Sequence, residues 1–192
     1  MGKVVVTEFI TLDGVIEAPG GGEGFKHDGW SFKFSRGDEG DKFKGDELNA
    51  ADAQLLGRVT YQGFAQAWPN MAGDPFGDKM NSMPKYVVSS TLSDAAASWA
   101  NSTVIRNDVV NQIKRLKDKV AGDILVAGSA KLVQFLAEHD LVDEYRLMVF
   151  PVALGTGKRL FADLKAPTTL RLVDTRSVGT DGVVILTYQP VR

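Results

Sequence analysis

The sequence predicts an α/β fold: a mainly parallel central sheet flanked by helices, closed by an antiparallel hairpin at the C-terminus. Three observations carry this. Short apolar and β-branched runs alternate with helix-like segments through most of the chain, the pattern of strands joined by helical crossovers. Gly57 and Gly128 each stand where such a strand would turn into a helix. Two strand-like runs at the end flank Gly179-Thr180-Asp181-Gly182, a hairpin signal.

The elements follow in order. Residues 4–12 (Val4, Val5, Val6, Phe9, Ile10, Leu12) read as a buried strand, and Asp13-Gly14 closes it with a turn. Residues 20–47 hold eight of the 20 glycines and a balanced mix of charges, the composition of a mobile, solvated surface loop. Trp30, Phe32 and Phe34 alternate within it and suggest aromatic anchors on a short strand. A short helix is expected over 42–52, a strand over 53–57, and a helix over 58–68 ended by Pro69. Strands are expected over 85–89 and 103–106.

Asn107 or Asp108 is placed to cap a helix through Val120, whose Val109, Ile113, Leu116 and Val120 share one face. A strand over 123–127, a helix from Gly128 to about His139, and strands over 144–152, 170–178 and 183–189 complete the series. No internal repeat and no linker interrupts it, so residues 1–192 are expected to form one domain.

Composition excludes several function classes. The chain has 22 basic and 24 acidic residues and a net charge of −2, against a nucleic-acid binder. No run approaches the ~18 apolar residues of a membrane span, and the opening Met1-Gly2-Lys3 leads into a strand rather than a secretory signal. A cytoplasmic protein with no membrane partner is the expectation. Cysteine is absent and the two histidines, His27 and His139, lie far apart, so neither a thiolate nucleophile nor a metal site is expected.

Three turns carry chemistry. Gly57-Arg58-Val59-Thr60 combines a glycine, a cation and a hydroxyl at a helix start. Free N–H groups there attract anions, so the segment suits a phosphate or is a capped turn. Gly128-Ser129-Ala130 repeats that physics after another strand. Ser89-Ser90-Thr91 offers three hydroxyls after a third, for phosphate or for capping. The ends of parallel strands are where such sheets bind ligands. Gly155-Thr156-Gly157-Lys158 is no phosphate loop, because Arg159 replaces the Ser or Thr after the lysine.

Taken together, Thr11-Leu12-Asp13-Gly14-Val15-Ile16, Leu56-Gly57-Arg58-Val59-Thr60-Tyr61, Val126-Ala127-Gly128-Ser129-Ala130-Lys131-Leu132 and the run from Pro151 to Phe161 resemble, in order, the dihydrofolate reductase superfamily. Within it they are most similar to the reductase C-terminal domain of riboflavin biosynthesis and its stand-alone bacterial relatives. The resemblance implies a dihydrofolate reductase-like fold and an NADPH-dependent oxidoreductase acting on a small heterocyclic or carbonyl substrate, pterin- or flavin-precursor-like.

It further implies that Gly57, Arg58, Val59 and Thr60 hold the diphosphate and adenosine phosphate. Ser89, Ser90 and Thr91 would lie along the adenosine half, and Gly128, Ser129, Ala130, Lys131 and Leu132 around the diphosphate. The first strand near Phe9 and the Asp13-Gly14 loop would approach the nicotinamide, and two copies would pair as a homodimer. The folate-binding carboxylate of true dihydrofolate reductases has no assigned counterpart among Asp41, Asp46 and Glu47. Asp13 is the candidate catalytic acid, or the first residue of an Asp-Gly turn. Trp30 and Phe34 are candidate substrate-binding lid residues, or loop anchors. The reading from another class is a nucleotide-binding or sensing module on the same fold, without turnover.

Overall fold

The computed structural model describes residues 1–192. It contains one eight-stranded sheet in the order β4-β3-β2-β5-β1-β6-β8-β7. The strands are β1 (Val4–Thr11), β2 (Ala51–Gly57), β3 (Lys85–Val88), β4 (Ser102–Ile105), β5 (Asp123–Val126), β6 (Glu144–Phe150), β7 (Leu170–Val178) and β8 (Val183–Pro190). The first six pair in parallel, while β8 runs antiparallel to both β6 and β7. The predicted architecture is therefore present.

Strand β1 sits in the middle because it is apolar on both faces. Val4 and Val6 face one way, into a core with Ile113 and Leu116 of α4 (Val109–Lys119) and Leu132 and Leu136 of α5 (Ala130–Glu138). Val5 faces the other, with Leu48 of α1 (Gly37–Asn49), Tyr61 of α2 (Arg58–Ala67) and Met80 of α3 (Pro75–Ser82). The period-two alternation of a strand sends neighbouring valines to opposite layers.

Several boundaries differ from expectation. Helix α1 begins at Gly37, because Asp38 and Glu39 suit the positive end of a helix, and it stops before Ala51 pairs with β5. Helix α3 was not anticipated. Its start is written in Asp74-Pro75: the Asp74 carboxylate accepts from the N–H groups of Phe76 and Gly77, both at 3.0 Å, and proline occupies the first helical position. Asp108 precedes α4 but makes no side-chain cap and adopts φ 46°.

The early glycine-rich segment is fastened rather than loose. Residues Trp30–Lys33 form a 3-10 turn, not a strand. The Trp30 indole N–H donates to the Glu17 carbonyl at 2.8 Å, and the Ser31 hydroxyl donates to the Pro19 carbonyl at 2.7 Å. The Ser35 amide donates to Asp181 of the terminal hairpin at 2.7 Å. Trp30 meets Phe150 edge-on at 5.4 Å within a third core cluster with Met148, Val178, Val183 and Ile185.

Asp13 is a latch between distant segments. Its carboxylate accepts from the Thr11 hydroxyl at 2.5 Å, the Leu154 N–H at 3.1 Å and the Gly155 N–H at 2.7 Å. Arg159 donates to its carbonyl at 3.0 Å. The Thr11 hydroxyl above all, then those peptide N–H groups, lower its pKa to about 2. This corrects the assignment of Asp13 as catalytic acid: an ionised carboxylate with its lone pairs engaged has no proton to give near neutral pH.

Asp13→Ala is expected to destabilise the fold by about 1–2 kcal/mol, since three donors lose their charged acceptor at a partly wet site. For Asp13→Asn the sign follows from a depressed folded pKa. The wild type should be the more stable above the ordinary aspartate range, ~4, and the difference should fade as pH falls towards about 2. Urea denaturation of both proteins at pH 7 and pH 3 measures it; a constant difference would remove the latch.

Candidate functional site

The three predicted turns meet at the carboxyl ends of adjacent strands. Gly57 ends β2, is level with Val88 at the end of β3, and donates its N–H to the Gly128 carbonyl at 3.2 Å. Close approach explains both glycines. A Cβ on Gly57 would overlap the Ser129 hydroxyl and lie 3.0 Å from the Ser129 nitrogen. Gly128 has φ +95°, and a Cβ there would lie 2.8 Å from Thr60 Oγ1. The Gly128–Ser129 peptide is cis. Helices α2 and α5 start at this junction, so the free N–H groups of two helices converge on it.

The side chains sort into groups. Arg58 is exposed and donates only to Gln62, at 3.2 Å. Val59 is exposed and Thr60 half-buried beside Gly128. Ser90 and Thr91 are exposed. Ser89 is buried and its hydroxyl accepts from the Thr91 and Leu92 amides at 3.2 and 3.0 Å, so it builds the turn instead of facing a ligand. Lys131 is exposed, while Ala130 and Leu132 pack into the core. Any contact from Leu132 to a diphosphate would come from its backbone alone.

The two lid candidates fare differently. Trp30 is 1% exposed and its indole N–H is already committed. It is a loop anchor, which corrects its assignment as a substrate-binding residue. Phe34 remains half-buried, 6.2 Å from Phe150. Phe9 packs edge-on against Phe150 at 5.2 Å, with the Arg36 guanidinium 5.0 Å from its ring centroid.

Sequence reasoning missed Glu8. It is buried on β1, and its Oε1 has no hydrogen-bond partner. Burial raises its carboxyl pKa well above the ordinary value; Lys44 opposes this, while Glu23 and Glu47 add to it. The signal was present: a lone carboxylate in an apolar strand at the centre of the sheet.

A second carboxylate on α1 is also buried. Glu47 accepts from the Thr7 hydroxyl at 2.7 Å and from Lys44 at 2.5 Å, and faces Arg146 at 3.7 Å. Asp41 pairs with Arg36, and Asp46 with Lys42, both near the surface.

A dinucleotide fits these observations. Two helix N-termini supply anion-binding N–H groups, the hydroxyls of Ser129 and Thr60 lie beside the two glycines, and Arg58 stands unpaired by any carboxylate beside it.

Known proteins agree with the fold. The Bacillus subtilis (strain 168) protein YyaP, itself uncharacterised, is 32% identical over 97% of this chain and 94% of its own. YwjB of the same organism is 32% identical over 92% of each chain. A putative riboflavin biosynthesis protein from Shewanella sp. PV-4 superposes with a TM-score of 0.78, at 22% identity over 100% of both chains. Enterococcus faecalis dihydrofolate reductase complexed with NADP(H) gives 0.63, at 18% identity over 98% of this chain and 96% of that one. The RibD C-terminal domain matches residues 2–184, and the chain belongs to that family.

Proposed function

We propose that the protein is an NADPH-dependent reductase of a small heterocyclic or carbonyl compound, pterin- or flavin-precursor-like. The observation that carries this reading is the junction of Gly57, Gly128 and Ser129, where two helix N-termini converge and the Gly57 N–H meets the Gly128 carbonyl. Family membership and a fold shared with a dihydrofolate reductase complexed with NADP(H) support it.

In this reading the residues divide the work. The α2 and α5 N-termini neutralise phosphate charge, and Arg58 adds a cation at the outer phosphate. Ser90 and Thr91 border the adenosine side. When bound, reduced nicotinamide supplies the hydride, and reduction of a C=O or C=N bond also consumes one proton. That proton does not come from Asp13, which is ionised. The aromatic group around Phe9, Phe34 and Phe150 excludes water from the neighbouring space. We also propose a homodimer, in which the outer edge of β7, with Leu172 and Val173 exposed, is covered.

NADPH at about 100-fold excess over its Kd should raise the melting temperature by roughly 5–10 °C. NADPH absorbance should fall when a suitable pterin, flavin precursor or quinone is added; binding without consumption across such a panel would favour a sensing module. Arg58→Ala should raise the NADPH Kd about tenfold or more and leave the ligand-free melting temperature unchanged. Gly57→Ala should weaken both, by about 1–3 kcal/mol in stability, because its methyl group would overlap the Ser129 hydroxyl and lie 3.0 Å from the Ser129 nitrogen. Gel filtration at the monomer mass of 20.8 kDa would overturn the dimer.

A further inference from the structure

The last register pair between β1 and β5 is Val6 with Val126. Two residues further on, Glu8 stands level with Gly128, where the two strands part. It is 7% exposed, and its Oε1 has no partner. A Cβ on Gly128 would lie 3.7 Å from that oxygen and 2.8 Å from Thr60 Oγ1, so the carboxyl and the hydroxyl face the same turn.

The charged groups around it do not satisfy it. Lys44 of α1 is bound to Glu47 and Thr7, both at 2.5 Å. Glu47 of α1 and Glu23 of the preceding loop act against ionisation of Glu8, as does burial. Such surroundings favour the protonated form, and a protonated carboxyl offers one O–H donor and one carbonyl acceptor. An orphan of this kind is unfavourable unless something completes it.

Strand order says what reaches it. Counting across the sheet, β3, β2, β5 and β1 are neighbours. With phosphates on the turns after β2 and β5, and adenosine towards Ser90 and Thr91 after β3, the other half of a dinucleotide lies over the end of β1. That half ends in a primary carboxamide, whose N–H and C=O form the complement of a neutral carboxyl.

We propose that the Glu8 carboxyl is the polar group that meets the carboxamide of a bound nicotinamide. This rests on the NADPH-dependent reading, and the test separates the two. Calorimetric titrations of wild type, Glu8→Gln and Glu8→Leu use NADPH and 2′,5′-ADP, a fragment that carries the adenosine and its phosphates but no nicotinamide.

Glu8→Gln keeps a donor and an acceptor and should hold NADPH within about threefold of wild type; Glu8→Leu should weaken NADPH about tenfold. Neither should change 2′,5′-ADP affinity. Glu8→Leu without ligand should melt no lower than wild type, because an unsatisfied buried carboxyl has been removed. Equal weakening of both ligands by Glu8→Leu, no weakening of NADPH, or the same NADPH loss in Glu8→Gln as in Glu8→Leu would overturn the assignment and leave the reductase reading standing. Failure of wild type to bind either ligand would remove both.

Discussion

One steric constraint organises the site: the turn after β2 and the turn after β5 touch backbone to backbone. The Gly57 N–H reaches the Gly128 carbonyl at 3.2 Å, and neither position has room for a Cβ. A Cβ on Gly57 would meet Ser129 and one on Gly128 would meet the Thr60 hydroxyl, at the point where two helices begin. Because the contact is made by backbone, the positions of both helix N-termini follow from the sheet. In the proposed reading, a phosphate held by these helix starts would need few flexible side chains to be ordered, which would keep the ordering cost of binding low.

Electrostatics then divides the carboxylates by environment. Asp13 and Glu8 lie five residues apart on one strand and its turn, yet are driven in opposite directions. Asp13 accepts one hydroxyl and two peptide N–H groups and is held ionised. Glu8 accepts nothing at Oε1, and burial pushes its carboxyl pKa up. Beneath them Arg146 of β6 binds Glu144 at 2.7 Å and Asp123 at 2.9 Å and faces Glu47 of α1. That cluster ties α1 to the sheet, so Lys44 and Glu47 keep a fixed distance from the site. Lys85 shows the same rule in a cation. Fully buried, it donates to the carbonyls of Asn81 and Ala100, lies 4.1 Å from the Trp99 ring centroid, and has its pKa lowered to about 8 by burial.

What was legible in the sequence was what local chemistry writes. The apolar run of β1, the glycine turns at Gly57 and Gly128, and the closing hairpin all announce themselves within a few residues. Helix α3 carried only Asp74-Pro75 as its sign, and its eight residues include two glycine or serine positions that weaken any helical pattern. Asp13 was misread because its partners Leu154 and Gly155 lie about 140 residues away, where no local pattern reaches. Trp30 stayed open between lid and loop anchor because an aromatic residue among glycines gives no hint that Phe150 and the Glu17 carbonyl will enclose it. Glu8 was overlooked for the opposite reason: its neighbours are so plainly strand-forming that a buried acid among them attracted no separate reading.

The central place of β1 has a consequence for how the protein comes into being. Strand β1, made before either partner, pairs with β5 and β6, which begin at Asp123 and Glu144. Its long-range pairing waits for most of the chain, and contacts of such separation slow folding. The loop anchored by Ser35 waits longer still, for Asp181 near the C-terminus. A growing chain therefore presents Gly57 and its helix well before Gly128 arrives to face it. In the proposed reading, the cofactor cradle is complete only once residues 128–130 have joined residues 57–60.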